Sequence, residues 1–345
     1  MTSMRQTLAS LKFVVALSSF VAYSAFADGL DAQNESREAQ HWLHRIQAAA
    51  QKVNYSGTFV YQQASQVRTS RITHLLDGKN EIEKLEILDG KPREYIRTND
   101  EIVCYLPEAR TLITEKKIAQ DIFPALLAAD PSDLSSYYTL RRGDGGRVAG
   151  FDSLEVILEP KDNLRYGYRL WAERNTGLLL RAQTINEKNE IVEQIAFAQL
   201  EIGNIHRGRV KPSFVNTVGW HTENSVMTQS SAVGWSVRNV PAGFKKVREL
   251  KRLISDVSAS NGTAVAVNAN TTTQREVIQL VFSDGLAAIS VFIEPGSRSR
   301  TEGSMQQGAM NISGRRQGDF WLTIVGEVPA AAIRQVANSI ELKSK

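Results

Sequence analysis

Arg165-Tyr166-Gly167-Tyr168-Arg169-Leu170-Trp171 and, a short turn later, Thr176-Gly177-Leu178-Leu179-Leu180-Arg181 are the residues whose reading decides the fold. Tyr166, Tyr168 and Leu170 recur at every second position, the period of a strand with one buried face. Arg174-Asn175-Thr176-Gly177 supplies the residues that a tight turn needs, so the two runs make an aromatic-rich hairpin. It carries no catalytic chemistry. It reads as a surface on which something apolar is held.

Working outward, strand-like runs precede the hairpin at Gly57–Gln62, Arg68–Leu76, Ile82–Leu88, Arg93–Thr98, Ile102–Leu106 and Thr111–Thr114. Asp77-Gly78, Asp89-Gly90-Lys91-Pro92, Asn99-Asp100 and Pro107-Glu108 punctuate them with turn residues. Further runs at Tyr138–Arg142, Leu154–Leu158, Leu164–Ala172, Leu178–Ile185 and Glu190–Leu200 complete the series. So many strands at hairpin spacing predict a large, strongly curved antiparallel sheet or an open barrel. Trp42, Leu43, Ile46, Ala50 and Val53 keep near-helical spacing, which predicts one helix laid on that sheet.

A second apolar stretch, Ile118–Ala129, interrupts the strands, and its residues Ile122, Phe123, Leu126 and Leu127 with Pro124 near the start predict a short helix. Asp130-Pro131 predicts another helical start, with Asp130 as cap. This insertion either plugs the barrel as core or acts as a lid over an apolar cavity; the sequence leaves both open. Period-two reading places Phe59 with Tyr61, Leu85 with Ile87, Ile102 with Cys104, and Tyr168 with Leu170 on one face of their strands. With Phe123, Leu126 and Leu127, they are the candidate lining of an apolar cavity.

The chain has 345 residues and opens as an export signal: Arg5 and Lys12, the apolar stretch from Phe13 to Ala22, then Ala25-Phe26-Ala27 before Asp28. The apolar core falls short of the roughly 20 residues a membrane span takes. Cys104 is the single cysteine, which excludes an internal disulfide. The expected organisation is a signal peptide at 1–27, a front domain at 28–206, a polar linker at 207–231 and a rear domain at 232–345. From 28 to 206 there are 22 Lys+Arg against 27 Asp+Glu, a net of −5, whereas 207–345 has 17 against 10, a net of +7. Such asymmetry bears on encounter with charged partners.

The rear domain is read as a small α+β unit. Trp235-Ser236-Val237, Val277–Phe282, Ala288–Ile293, Gly308–Gly314 and Phe320–Gly326 supply strands, and Pro329 opens a terminal helix with Ile333, Val336, Ala337 and Ile340 on one face. The run around Val247, Leu250 and Leu253 suits a helix or an irregular strand. Lys245, Lys246, Arg248, Lys251 and Arg252 cluster there and form the candidate partner-binding surface, fitted to an acidic protein or to lipid phosphates. No nucleic-acid motif accompanies them.

Catalytic constellations are missing from the pattern. There is no Gly-x-Ser-x-Gly elbow, phosphate-binding glycine loop or dinucleotide fingerprint, so neither an enzyme nor a cofactor is expected. His41 and His44 lack a third ligand, so no metal is expected. Cys104 has no histidine near it in sequence.

Asn54-Tyr55-Ser56-Gly57-Thr58-Phe59-Val60-Tyr61, Leu88-Asp89-Gly90-Lys91-Pro92-Arg93-Glu94, Val103-Cys104-Tyr105-Leu106-Pro107 and the hairpin resemble, in that order, the MucB/RseB family. Gly243-Phe244, Phe282-Ser283-Asp284-Gly285-Leu286, Ser290-Val291-Phe292-Ile293 and Val325-Gly326-Glu327-Val328-Pro329 resemble the same family's second domain. The resemblance implies an α+β protein whose front domain is a half-barrel like LolA and LolB, with helices in its mouth. It also implies a periplasmic regulator that binds the periplasmic part of a membrane-spanning anti-sigma factor of the RseA/MucA kind. Such a regulator shields its partner from regulated proteolysis and lets go when mislocalised lipid, lipoprotein or lipopolysaccharide arrives. A lipid or lipoprotein carrier of the LolA type is the alternative, and the rear domain distinguishes them because a carrier needs only the half-barrel. The sequence is compatible with a homo-oligomer without requiring one.

Overall fold

A computed structural model describes residues 33–116, 123–127, 131–225, 228–229, 234–255, 274–296 and 300–342. The expected leader at 1–27, the cap at Asp130 and most of the 118–129 insertion lie outside them. Helix α1, residues 33–52, is followed by strands β1 (Tyr55–Gln63), β2 (Gln66–Asp77), β3 (Asn80–Ile87), β4 (Arg93–Thr98), β5 (Glu101–Leu106) and β6 (Thr111–Lys116). After a 3-10 turn at Pro131–Ser136 come β7 (Tyr138–Arg142), β8 (Gly146–Val148), β9 (Phe151–Pro160), β10 (Gly167–Glu173), β11 (Leu179–Ile185), β12 (Ile191–Ile202) and β13 (His221–Ser225). These thirteen strands form one open sheet, in the order β13-β6-β5-β4-β3-β2-β1-β12-β11-β10-β9-β7 with β8 beside β9. Every neighbour is antiparallel except β13, which runs parallel to β6. The curved antiparallel sheet expected from the strand spacing is therefore present.

Helix α1 lies in the hollow of this sheet because Ala39, Trp42, Leu43, Ile46 and Ala49 recur on one face and share a core with the strands. Leu43 and Ile46 are fully buried, each contributing about 1.5–3 kcal/mol by removal from water. The described part of the insertion, 123–127, is a turn and irregular backbone where a helix was expected. Its apolar composition serves a different purpose, since Phe123 drops between Phe59 and Phe197 with ring centroids at 5.4 and 4.9 Å.

Residues 207–214 of the segment read as a linker are laid along the outer face of the front sheet. A short 3-10 turn, Arg207–Val210, packs Val210 beside Leu75 and Ile205. Phe214 stacks on Tyr105 at 6.4 Å and meets Trp220 at 6.1 Å, and β13 then joins the sheet edge.

The rear domain is a seven-stranded sheet formed by β14 (Thr228–Gln229), β16 (Lys245–Ser255), β17 (Gln274–Ser283), β18 (Ala288–Pro295), β21 (Phe320–Gly326), β20 (Met310–Gln317) and β19 (Gly303–Gln307), in that order across the sheet. Strands β15 (Trp235–Val237) and β22 (Ile340–Leu342) pair separately. Helix α2 (Ala330–Ala337) covers the sheet with Ala332, Ile333, Val336 and Ala337. Ile340, expected on that helix face, lies on β22 and still reaches the same core. Sequence reading leaves β19 out because Gly303-Ser304-Met305-Gln306-Gln307 is exposed throughout and has no alternation.

Candidate functional site

The ladder registers align the concave side chains into rows. One row runs Gly57, Ile72, Leu85, Tyr95, Cys104 and Ile113 from β1 to β6. Another runs Tyr61, Ile195, Ala182, Leu170 and Val156 from β1 to β9. The two sides of this trough differ in filling. Phe59, Phe123, Leu127, Tyr168 and Leu170 are all buried and belong to the core under α1. Leu85 and Leu126 pack against that core and stay partly open, while Ile87 and Ile102 are half-buried. Tyr61 is half-buried at the rim.

Charge borders the open side. Arg97 sits beside Ile102 in the next row and donates to Glu81 at 2.6 Å and to Glu83 at 3.4 Å. Burial alone would raise the Glu81 carboxyl, but Arg97 outweighs it and holds that carboxyl below its ordinary value. Burial raises the Cys104 thiol, the direction that keeps it inert. Among the described residues no three His, Cys, Asp or Glu side chains come together as a metal site.

The hairpin positions the second half of the site, where the lobes meet. Arg165, which precedes β10, is fully buried and spends its guanidinium on both lobes. It donates to Asp162 at 3.1 Å within the front lobe, and across the junction to Asp284 at 3.0 Å and the Ala242 carbonyl at 2.6 Å. Tyr138 donates to the same Asp284 oxygen at 3.2 Å, while the other Asp284 oxygen accepts the amides of Leu286 and Ala287. The guanidinium also lies 4.9 Å from the Tyr137 ring and 5.6 Å from that of Phe244. Gly243 must be glycine here: its φ is +86°, and a Cβ would run into the Tyr137 ring. Leu286 packs on the front core and Leu164 on the rear one, so each lobe lends a side chain to the other.

Farther along the rim the junction is polar. Gln63 donates to the Gln307 carbonyl at 2.9 Å, and Asn311 donates to the Tyr166 hydroxyl at 3.1 Å. Glu193, opposite Gln63 on β12, is pushed up to about 7 by burial and by the Glu327 carboxylate of the rear lobe, against a hydrogen bond from Tyr61. Burial raises Glu327 as well, although part of its side chain meets solvent. A cleft of about 560 Å³ opens here between Gln62, Glu193, Gln194, Gln306 and Gly308. A second, of about 720 Å³, lies on the outer face among Thr73, Lys84, Gln199, Arg209 and Lys211.

Sequence reasoning missed Arg165 as a junction residue. Its partner is Asp284, and separation along the chain hides such a pair. It also missed Glu173, whose carboxylate accepts the Asn175 and Thr176 amides at 3.0 and 2.7 Å and so shapes the hairpin turn. Burial opposes ionisation of Glu173, but these bonds outweigh it and hold the carboxyl below its ordinary value.

The basic candidates all fall on β16, which settles the helix-or-strand alternative in favour of strand. A bulge between Lys246 and Arg248 divides them, so Lys245 and Arg248 lie opposite Ser283 and Val281, and Lys246 and Lys251 opposite Phe282 and Ile278. Alternate faces result. Lys245 bridges to Asp133 of the front lobe at 2.7 Å, Lys246 to Glu249 at 2.6 Å and Lys251 to Glu276 at 2.9 Å. The backbone of Arg252 pairs with Val277.

A family model described as the MucB/RseB N-terminal domain matches residues 38–215, and one described as the MucB/RseB C-terminal domain matches residues 229–341. The chain is 30% identical over 329 residues to the sigma factor AlgU regulatory protein MucB of Pseudomonas aeruginosa, spanning 89% of this chain and 92% of that protein. It is 25% identical over 316 residues to the sigma-E factor regulatory protein RseB of Haemophilus influenzae, spanning 90% and 94%. The fold is similar to MucB in a complex structure of Pseudomonas aeruginosa MucA/MucB, with a TM-score of 0.67 and 28% identity over 89% of this chain and 100% of that one. A structure of MucB in complex with MucA(peri) gives a TM-score of 0.66 at 27% identity, with coverage of 89% and 100%.

Proposed function

The chain belongs to the MucB/RseB family, and from that premise we propose that it is an exported periplasmic regulator, without catalytic activity, of an envelope-stress sigma factor. Its partner is the periplasmic segment of a membrane-spanning anti-sigma factor, which it shields from proteolysis. Its releasing ligand is an acyl-chain lipid, lipoprotein or lipopolysaccharide taken up on the open side of the trough, around Leu85, Ile87, Ile102 and Leu126. The observation that carries the reading is the buried contact of Arg165 with Asp284 across the lobes. A lipid carrier would need only the trough. An ion pair without solvent access ties that trough to a rear lobe free to hold a protein partner, so occupancy of one can bias the other.

The basic strand β16 supplies part of the partner surface in this reading. Its side chains already hold acids, so an acidic partner must compete with Asp133, Glu249 and Glu276. Binding should accordingly weaken with salt. The direct test is a time course of proteolysis of the anti-sigma periplasmic segment, alone and with saturating mature protein. Protection by the protein is expected; equal cleavage in both samples would overturn the assignment.

A further inference from the structure

The lobe junction has one polar group that its surroundings leave unfinished. One carboxylate oxygen of Glu193, Oε2, is shut off from solvent and has no hydrogen-bond partner. A buried carboxylate oxygen without a donor is costly as an anion, and a proton removes most of that cost. The groups around it supply no cation. Tyr61 on β1 donates to Glu193, Gln63 lies opposite it on β1, and Thr184 lies opposite it on β11. Tyr168 on β10 is buried, and the charges of Asp284, Glu327 and Glu193 and the Tyr166 hydroxyl act on it. Arg68, opposite Tyr61 on β2, is a cation whose charge acts on Tyr61, and Glu327, exposed just beyond β21, adds its charge from the rear lobe. Neither Glu193 nor Glu327 is in an ion pair among the described residues.

The lobes touch here through the Gln63 side chain laid on the rear-lobe backbone. At Gly308 a Cβ would collide with the Gln63 side chain, and Gln63 holds the Gln307 carbonyl of the rear lobe. Charge placed on Glu193 therefore acts on a contact between lobes and not on the interior of one.

We propose that this contact is a proton-operated latch: with Glu193 protonated the two lobes close against each other along Gln63, Gln307 and Gly308, and with Glu193 and Glu327 both ionised they part. The rest of the junction, at Arg165 and Asp284, serves as the hinge point. The sign follows from linkage. Glu193 holds its proton up to about 7 in the closed junction, against about 4.3 for an ordinary glutamate. Closure is therefore complete below the ordinary value and is lost as pH rises through 7, with the open-to-closed ratio changing by up to about tenfold per pH unit in that window. Tyr61 stays protonated throughout, because burial first and the Glu193 charge second raise its hydroxyl.

The test is the distance between spin labels at Lys188 and Ser304, both exposed, in a Cys104→Ser background whose fold is checked by circular dichroism. In the wild-type sequence the distance distribution should shift from short to long between pH 5 and 8. Glu193→Gln should hold the short distribution across that range, and Glu327→Gln should shrink the pH-dependent change and leave more of the short distribution at pH 8, because without the Glu327 charge Glu193 is raised less in the closed junction and its anion is not repelled there. A distribution independent of pH in the wild-type sequence, or an identical transition in Glu193→Gln, would overturn the proposal.

Discussion

The two ends of the lobe junction are built on opposite electrostatic plans. At one end Arg165 meets Asp284 with both side chains fully buried, and donors from Arg165, Tyr138, Leu286 and Ala287 surround the carboxylate. At the other, Glu193 faces a second carboxylate and keeps an oxygen without a donor. The trough repeats the contrast, packed solid around Phe59, Phe123 and Leu170 and half-open around Ile87 and Ile102. In the proposed latch one side of the molecule is pinned and the other yields. A sensor needs both, since a ligand shifts an equilibrium only where two arrangements are close in free energy.

The harshest way to break the contrast is to put a charge on each side of the trough. Leu170→Asp places a carboxylate at a fully buried position, which should cost more than about 4 kcal/mol and unfold the front lobe. Ile87→Asp, half-exposed, should leave denaturant stability within about 1 kcal/mol of the parent while weakening the binding of a fluorescent phospholipid. Parallel losses of stability and lipid binding at both positions would mean that the open side is ordinary core.

Removing one partner of the pinned pair comes next. Arg165→Met leaves Asp284 buried without its cation and should cost about 3–5 kcal/mol by urea unfolding. The double change Arg165→Met with Asp284→Leu should recover much of that loss, because two apolar groups need no compensation, although the Leu286 and Ala287 amides then lose their acceptor. A double variant no more stable than the single one would show that those turn amides, and not the ion pair, dominate the site.

A smaller effect sharpens the yielding end. Tyr61→Phe removes the hydroxyl that steadies the Glu193 anion, so stability should fall by only about 0.5–1.5 kcal/mol. The titration of Glu193, followed by carbon-13 NMR of its side-chain carboxyl, should move above its value of about 7. A downward move would mean that Tyr61 is not its donor.

Much of this architecture is legible in the sequence. Arg93–Thr98, Tyr138–Arg142 and Phe320–Gly326 are read to the residue because each is a short run rich in aromatic and β-branched residues bounded by polar or turn residues. The apolar rows of the trough follow from period two alone. The 118–129 stretch misleads because Ile, Phe, Leu and Ala there suit a helix and a core plug equally, and only the gap between Phe59 and Phe197 decides where Phe123 goes. The stretch 207–231 reads as linker because the attachments of its first part are long-range: Ser213 donates to Glu94 at 3.0 Å, and Lys84 donates to Lys211 and Ser213 at 3.0 and 2.9 Å. The junction is hidden for the same reason. Arg165 and Asp284 both stand in stretches that resemble the family, yet nothing local says that they meet.

Coupling between the open trough and the rear lobe is measured most directly by calorimetric titration of the anti-sigma periplasmic segment into the mature protein, with and without saturating lipopolysaccharide. Lipid should weaken partner binding, and the partner should weaken lipid binding by the same factor, as linkage requires. Partner affinity unchanged at saturating lipopolysaccharide would contradict the account.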